Sequence, residues 1–292
     1  MNTLDYTLCP KDDGRSLRDI LRNVLQLSEG AIRRAKWSGR LLVNGEPAPV
    51  TRRLRAGETV RYVAEENRPL FTVRPLDLAL RIPWRSDDLL IIDKPAPLAS
   101  QSGKNHPDDS LENAVFHWLG CPENYIYRPV NRLDKGTSGL MAVALNGEEQ
   151  ARLQRLLHTD RFRRKYLAVT EGIPPEAEGI LDLPIAKAEG ATIRRVVSPE
   201  GKPCVTRYRV LRTAGNRALL ELALETGRTH QIRVHLSHIG CPIVGDFLYG
   251  NETAELPGRF ALHSAEIVFP LRNGETVSLS SPLPADLEAL LE

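Results

Sequence analysis

A polar, glycine-punctuated segment that runs straight into an apolar one sets the strongest limit on the fold of this chain. Residues 128–146 read Arg-Pro-Val-Asn-Arg-Leu-Asp-Lys-Gly-Thr-Ser-Gly-Leu-Met-Ala-Val-Ala-Leu-Asn. Glycine permits positive φ, and Ser and Thr hydroxyls bond nearby backbone, so the first half predicts a tight, ordered loop. The second half, residues 140–145, has the length and apolarity of a buried strand. We therefore expect Asp134 on a loop that a rigid strand holds in place.

Asp134 also has an ordinary interpretation, because aspartate is common in turns and helix caps. Its neighbours favour a functional one. The run Asn-Arg-Leu-Asp-Lys-Gly-Thr-Ser-Gly-Leu resembles the His-Arg-Leu-Asp-x-x-Thr-Ser-Gly-Leu signature of the RluA-like family of RNA pseudouridine synthases. Asn131 stands where that family usually has His. The resemblance implies that Asp134 is the catalytic carboxylate and that Arg132 helps to hold the target uridine out of its stack.

A second signature lies late in the chain, in residues 226–250. It reads Thr-Gly-Arg-Thr-His-Gln-Ile-Arg-Val-His-Leu-x-x-x-Gly-x-Pro-Ile-x-Gly-Asp-x-x-Tyr-Gly. This closely resembles the second motif of the same family, in which the later arginine, here Arg233, pairs with the catalytic aspartate. The apolar spacing from Ile232 onward predicts a helix that Thr229 caps and Gly240 ends.

Tyr166 begins the strand-like run Tyr-Leu-Ala-Val. This run resembles the tyrosine element of the same family, which implies that Tyr166 stacks on the target base and is a candidate proton acceptor. Without the resemblance it would be an ordinary half-buried strand residue. The predicted catalytic residues are Asp134, Tyr166 and Arg233. The predicted substrate-binding residues are Arg132, Thr229, His230, Gln231 and Ile232.

Residues 1–64 predict a small separate domain. An amphipathic helix over residues 16–27, a short helix that Ser28 caps and a hairpin at Asn44-Gly45 follow one another. The elements Val-Asn-Gly and Ala-Gly-Glu-x-Val are similar to the alpha-L RNA-binding module that precedes the catalytic domain in many members of this family. Charge runs are usually solvated surface, but clustered cations also bind phosphates by releasing counterions. The predicted RNA-binding residues are Arg33, Arg34, Lys36 and Arg40.

The remaining chain predicts a linker and one large domain. Residues 65–77 carry two prolines and no periodicity, which is typical of a linker. The catalytic domain is then expected over residues 78–292. Its predicted strands lie at 89–93, 139–145, 166–170, 205–211, 218–224 and 266–279. Because these are not spaced as regular βαβ units, the expected fold class is α+β. It has a largely antiparallel mixed-sheet catalytic domain and a small N-terminal helix-helix-hairpin domain.

Composition excludes several classes of protein. Lys+Arg 39 and Asp+Glu 37 in 292 residues give a formal net charge of +2, so any nucleic-acid site must come from local charge. The 4 cysteines have no C-x-x-C spacing, which argues against a zinc ribbon and a secreted disulfide framework. Because neither a signal-peptide pattern nor an apolar run of about 20 residues is present, we expect a cytoplasmic protein without membrane association.

Three rival sites are weaker. The residues that a metal site would use are His230, His235, His238 and Cys241. They lack an H-E-x-x-H or C-x-x-C pattern, so no metal is expected. The run Lys135-Gly136-Thr137 lacks the first glycine of a phosphate loop. A glycosidase normally needs two carboxylates about 5–9.5 Å apart, whereas one conspicuous carboxylate in a basic setting suits an isomerase. Lys94, at a strand end before a proline, is interpreted as structural.

The sequence thus predicts an enzyme that isomerises specific uridines to pseudouridine in structured RNA, with one aspartate and no cofactor. Ribosomal RNA is the expected substrate, since the alpha-L module is frequent in members that act on it, and transfer RNA is the second choice. RNA is the expected partner, and the protein is expected to be a monomer. The alternative is a non-catalytic RNA-binding protein that kept the fold. The role of Asp134 stays open between nucleophile and general base.

Overall fold

The computed structural model describes residues 3–25, 27, 29–37, 39–63, 73–157 and 159–292, without the side chains of Arg34 and Trp37. The predicted cap Ser28 and residues 65–72 of the predicted linker lie outside this description. The chain divides into two compact units, Met1–Leu70 and Phe71–Glu292. None of the helices in the described ranges has the length and apolarity that a membrane crossing needs.

The N-terminal unit is a four-stranded antiparallel sheet with short helices, in the strand order β1-β4-β2-β3. Its elements are β1 (Thr3–Thr7), α1 (Leu17–Asp19) with a π-helical turn (Ile20–Val24), α2 (Glu29–Trp37), β2 (Leu41–Val43), β3 (Glu46–Pro47) and β4 (Thr59–Val63). The predicted hairpin is confirmed, because Asn44 and Gly45 have positive φ and join β2 to β3. The first predicted helix ends at Val24 instead of residue 27, and strand β1 was not predicted.

The larger unit combines helices with one large mixed sheet. Its strands are β5 (Arg81–Arg85), β6 (Leu89–Lys94), β7 (Ser138–Ala144), β8 (Arg163–Glu171), β9 (Glu178–Asp182), β10 (Ile185–Lys187), β11 (Arg195–Val197), β12 (Val205–Ala214), β13 (Arg217–Leu224), β14 (Leu262–Pro270) and β15 (Thr276–Ser280). Its helices are α3 (Leu111–Trp118), α4 (Gly147–Leu156), α5 (Gln231–His238) and α6 (Ala285–Glu288) with a 3₁₀ turn (Ala289–Leu291).

The order of strands in the large sheet is β5-β6-β7-β14-β8-β13-β12-β9, with β15 paired to β14, while β10 and β11 form a separate hairpin. Strands β7 and β14 run parallel, and the other neighbouring pairs within the described residues are antiparallel. The predicted large, mostly antiparallel sheet is confirmed. The single strand predicted at 266–279 is wrong, because a turn with Gly274 at φ +90° separates β14 from β15.

Strand β6 is buried on both of its faces. Leu90 and Ile92 belong to one apolar cluster, whereas Leu89 and Ile91 belong to another. Successive side chains of a strand point to opposite faces, so a continuous apolar run fits a strand that is covered on both sides. The same holds for β7, which is buried along its whole length. The loop that carries Asp134 therefore joins one of the most rigid parts of the sheet.

Gly139 allows this loop to enter β7, and it is needed there for two reasons. Its φ is +104°, and a Cβ at this position would lie 2.3 Å from the carbonyl oxygen of Ser264. Ser264 is its register partner in the parallel pairing of β7 with β14. We expect Gly139→Ala to lower the free energy of unfolding by roughly 3 kcal/mol or more, because backbone strain and a steric clash add together.

Urea unfolding followed by circular dichroism would measure this loss. Gly103→Ala is the matched control, because a Cβ at Gly103 meets no atom within 4 Å. Equal losses of stability in the two variants would contradict the role given to Gly139.

Candidate active site

Asp134 lies in the loop before β7, and hydrogen bonds on both sides hold that loop. The Ser100 hydroxyl donates to the carbonyl of Leu133 at 2.5 Å and accepts from the N–H of Leu133 at 3.1 Å. The N–H of Thr137 donates to the carbonyl of Asp134 at 3.0 Å, which closes a turn around the aspartate. The carboxylate therefore projects from an ordered loop, with 30% of the side chain exposed.

Lys94 ends β6 and braces the same loop from the interior. Its side chain is fully buried, and its Nζ donates to the carbonyls of Pro95 at 3.0 Å, Leu98 at 2.8 Å and Lys135 at 3.4 Å. Burial lowers the pKa of Lys94 to about 7, although the charge of Asp134 acts in the opposite direction. These contacts agree with the structural interpretation of Lys94, since they join two loops beside Asp134.

The lowered pKa of Lys94 makes stability depend on pH. Between about pH 7 and pH 10.5 the unfolded chain keeps the Lys94 proton and the folded chain loses it. The free energy of unfolding should therefore rise with pH across this window, by at most about 1.4 kcal/mol per pH unit from this group. In Lys94→Met this contribution disappears. Urea unfolding of both proteins at about pH 7 and about pH 9 tests it, and equal pH slopes would contradict it.

Arg233 on α5 connects the Asp134 loop to a second carboxylate. Its Nη1 donates to Oδ2 of Asp134 at 2.9 Å, while Nε and Nη2 donate to Oδ2 and Oδ1 of Asp246 at 2.7 and 2.8 Å. Burial disfavours the charged guanidinium, but the bonds to Asp246 and the charges of both carboxylates outweigh it, so the pKa of Arg233 lies above its ordinary value. The carboxylate of the first motif and the arginine of the second are thus in direct contact.

Asp246 is a site residue that sequence reasoning missed. It is fully buried, and its Oδ1 also accepts from the backbone N–H groups of Leu248 at 3.0 Å and Tyr249 at 3.2 Å. The rings of Tyr249 and Phe260 lie 5.0 and 4.2 Å from the guanidinium carbon of Arg233. A signal was present in the sequence, because Asp246 is the aspartate of the Gly-Asp-x-x-Tyr-Gly end of the second motif.

His230 lies directly before α5 in the left-handed conformation, with φ 58°. The helix begins at Gln231, so the predicted cap at Thr229 is wrong. One ring nitrogen of His230, Nδ1, lies 2.8 Å from the Tyr249 hydroxyl, and Nε2 lies 3.9 Å from Oδ2 of Asp134. Burial lowers the pKa of His230, against the charge of Asp134. Burial therefore disfavours the charged imidazole that an ion pair with the Asp134 carboxylate would require.

The turn before α5 is held by hydrogen bonds of the Gln231 side chain, and not by the predicted cap Thr229. Its Oε1 accepts from the Thr226 hydroxyl at 2.9 Å and from the N–H of Arg228 at 3.0 Å. Its Nε2 donates to the carbonyl of Val205 at 3.0 Å and also to Thr206. All of these bonds lie within the protein, so the Gln231 side chain holds the residues around it in position.

The residues of both motifs surround one open cavity of about 710 Å³, which lies within the range of about 300–1,000 Å³ usual for ligand sites. The predicted site residues that line it are Arg132, Asp134, Tyr166, Thr229, His230, Gln231, Ile232 and Arg233. All predicted catalytic and substrate-binding residues therefore meet here. The predicted RNA-binding residues belong to the N-terminal unit, on α2 or just after it, where Arg33 and Lys36 are exposed.

Charge in the cavity is unequally distributed. Among the described residues that line it, Asp134 is the one acidic side chain, and it shares the guanidinium of Arg233 with Asp246. The basic lining residues are Arg132, Arg164, Arg228 and Arg233. Within the described ranges, the cavity included, His, Cys, Asp and Glu side chains form no group of three or more that could hold a metal ion. The arrangement places a carboxylate and an aromatic ring, Tyr166, beside space for a polyanionic ligand with a planar ring.

Comparison with known proteins identifies a consistent set of relatives. The family described as RNA pseudouridylate synthase matches residues 88–238. The ribosomal large subunit pseudouridine synthase D of Xanthomonas campestris is 37% identical in an alignment of 281 positions that covers 89% of this chain and 83% of that protein. The uncharacterized RNA pseudouridine synthase YlyB of Bacillus subtilis is 32% identical and covers 100% of this chain and 98% of its own. Human RNA pseudouridylate synthase domain containing 1 aligns with a TM-score of 0.60 and 28% identity over 72% of this chain and 87% of its own.

Proposed function

This chain belongs to the RNA pseudouridylate synthase family and is an isomerase that acts on RNA, and we propose that Asp134 is its catalytic carboxylate. The observation that carries the proposal is the 2.9 Å contact between Asp134 Oδ2 and Arg233 Nη1 in the wall of an open cavity. This contact supports Asp134 because it leaves the other carboxylate oxygen, Oδ1, available to a ligand. Reactive groups held by such pre-formed partners need little reorganisation during the reaction.

The reaction breaks the bond between the ribose C1′ and N1 of uracil, turns the base, and joins C1′ to carbon 5. The hydrogen on carbon 5 then leaves as a proton, and N1 gains one. Asp134 acts on the ribose, either as nucleophile at C1′ or as base, while Arg233 donates a hydrogen bond to its Oδ2. Asp246 keeps Arg233 in place through two further hydrogen bonds. These steps use side chains of this chain, and we propose that no cofactor takes part.

Tyr166 lines the same cavity as Asp134 and supports a role in binding the target base. It lies on β8 between β13 and β14, where it pairs with Leu222 and Ser264. Moving the target uridine out of its base stack costs a few kcal/mol of free energy. Stacking of the uracil on an aromatic ring returns about 1–3 kcal/mol. We assign Tyr166 as the stacking partner and as the acceptor of the carbon 5 proton. Arg132, exposed at the cavity, holds the displaced RNA.

The substrate proposed is ribosomal RNA, with transfer RNA as the second choice. A relative that covers most of this chain is named for the large ribosomal subunit. We further propose that residues 1–64 bind RNA in the manner of an alpha-L module, with Arg33, Arg34, Lys36 and Arg40 contacting phosphates, and that residues 65–77 link them to a catalytic domain over 78–292. We also propose that the protein works as a cytoplasmic monomer.

Release of tritium from carbon 5 of uracil tests the function directly. The purified protein is incubated with labelled transcripts of large-subunit ribosomal RNA and, separately, with labelled transfer RNA. We expect release from the ribosomal transcript. Tight binding to both pools without release from either would overturn the proposal and favour a non-catalytic RNA-binding protein.

The proposed role of the N-terminal unit predicts a second result. Deleting residues 1–64 should weaken binding to the ribosomal transcript and make its dependence on salt shallower, because fewer phosphates are neutralised. Filter binding at several salt concentrations measures both quantities. An unchanged affinity and slope would contradict this role.

A further inference from the structure

Arg164 is a buried cation in the wall of the active-site cavity. It lies on β8, two residues before Tyr166, and is 6% exposed. Alternate residues of a strand share a face, so Arg164 and Tyr166 are on the same side of β8. The Nε of Arg164 is buried without a hydrogen-bond partner among the described residues, and none of their carboxylates is in ion-pair contact with its guanidinium.

The other buried arginines in the described part of the chain are compensated. Arg233 is paired with Asp246, and Arg259 donates to Asp286 at 2.8 Å. Burying a charge without such a partner costs several kcal/mol, and protein folds rarely keep one for stability alone. Arg164 is therefore better explained by a ligand that brings the missing negative charge into the cavity.

Asn131 also lines this cavity and has a buried donor without a partner among the described residues. It is 5% exposed, and its Oδ1 accepts from the N–H of Ala142 at 3.0 Å. This bond orients the amide, because an N–H must face the oxygen, and it leaves Nδ2 buried without a partner. Tyr127 and Thr137 also line the cavity, and their hydroxyls are buried without partners among the described residues. Buried donors of this kind normally meet an acceptor.

We propose that Arg164 anchors a phosphate of the RNA chain inside the cavity, with Nδ2 of Asn131 as a second donor to the same nucleotide. A phosphodiester is the anion that fits, since a guanidinium binds two phosphate oxygens in parallel. The contact holds the ribose of the flipped uridine in front of Asp134 while Tyr166 stacks on its base. This inference rests on the proposed function, because the phosphate comes from the RNA substrate.

Arg164→Met separates a ligand-binding role from a structural one, because the two roles predict opposite changes in stability. Removing an uncompensated buried charge while keeping the side-chain length should raise the Tm of the free protein, by roughly 2–4 °C. Affinity for the large-subunit ribosomal transcript should fall by about 10- to 100-fold, as expected for loss of a charged hydrogen bond. The slope of log affinity against log salt should become shallower by about 0.7–0.9.

Arg163→Met is the matched control. Arg163 precedes Arg164 on β8, but it is exposed and points to the other face, so the same change of charge should leave tritium release unchanged. Arg164→Lys keeps the charge and should keep most of the salt slope. Asn131→Ala, which removes one neutral donor, should weaken binding less than Arg164→Met.

The inference requires both a raised Tm and weaker RNA binding in Arg164→Met. A lowered Tm would show that Arg164 is structural, and an unchanged affinity and salt slope would show that it meets no phosphate. Either result overturns the inference while wild-type tritium release stays intact. Absence of tritium release from the wild-type protein would instead overturn the proposed function, whatever the binding of the Arg164 variants.

Discussion

Asp134→Asn should abolish pseudouridine formation, with kcat lowered by about 10⁴-fold or more, as when an enzyme loses a principal catalytic group. The amide has the shape of the carboxylate but cannot act as nucleophile or base. RNA binding should be retained, because the remaining cavity residues are unchanged. The fold should persist, since Arg233 keeps its two bonds to Asp246 at 2.7 and 2.8 Å. Tritium release and filter binding on the ribosomal transcript measure the two effects separately.

Asp108→Asn makes the same chemical change at an exposed ion pair with Arg74 and should have wild-type activity. If Asp134→Asn isomerised uridine at a rate close to that of this control, Asp134 would not be the catalytic carboxylate. The family membership of the chain would stand, and another acidic residue would have to be sought.

Asp246→Asn should cause the largest loss of stability among changes near the site, about 3–5 kcal/mol in the free energy of unfolding. Arg233 is 3% exposed and would keep Asp134 as its one carboxylate partner among the described residues. The backbone donors of Leu248 and Tyr249 would lose a charged acceptor at the same time. Activity should also fall, because Arg233 would no longer be held at its position beside Asp134. Urea unfolding and tritium release give the two measurements.

The pair of Arg217 and Glu255 provides a control with similar geometry but different burial. Two bonds of 3.1 and 2.6 Å join these side chains, which are 27% and 49% exposed. Glu255→Gln should therefore cost less than about 1 kcal/mol, as exposed ion pairs usually do. A similar cost for Glu255→Gln and Asp246→Asn would mean that burial does not set the strength of the Arg233 pair.

Strands with strong local signals could be predicted closely from the chain. The apolar runs at 89–93 and 139–145 correspond to Leu89–Lys94 and Ser138–Ala144, because both are buried on two faces and need no partner to be recognised. Strand Thr3–Thr7 could not be found in this way. It is a five-residue edge strand with mostly exposed residues, and its alternation of Leu4 and Tyr6 with polar residues is a weaker signal than a continuous apolar run. The parallel pairing of β7 with β14 could not be predicted from local sequence either, because the paired residues are more than a hundred positions apart.

The two motifs identify Asp134 and Arg233 as candidate site residues, because residue types and short spacings can be read directly from the sequence. Their contact spans 99 positions, and only the folded chain shows that Arg233 also binds Asp246 and that Arg164 is buried without a carboxylate partner among the residues that the structure describes. Compensation of a buried charge depends on which distant side chains share the same low-dielectric space. Local pattern therefore identifies the candidate reactive groups, whereas packing across the sheet determines which buried charges have a partner within the protein.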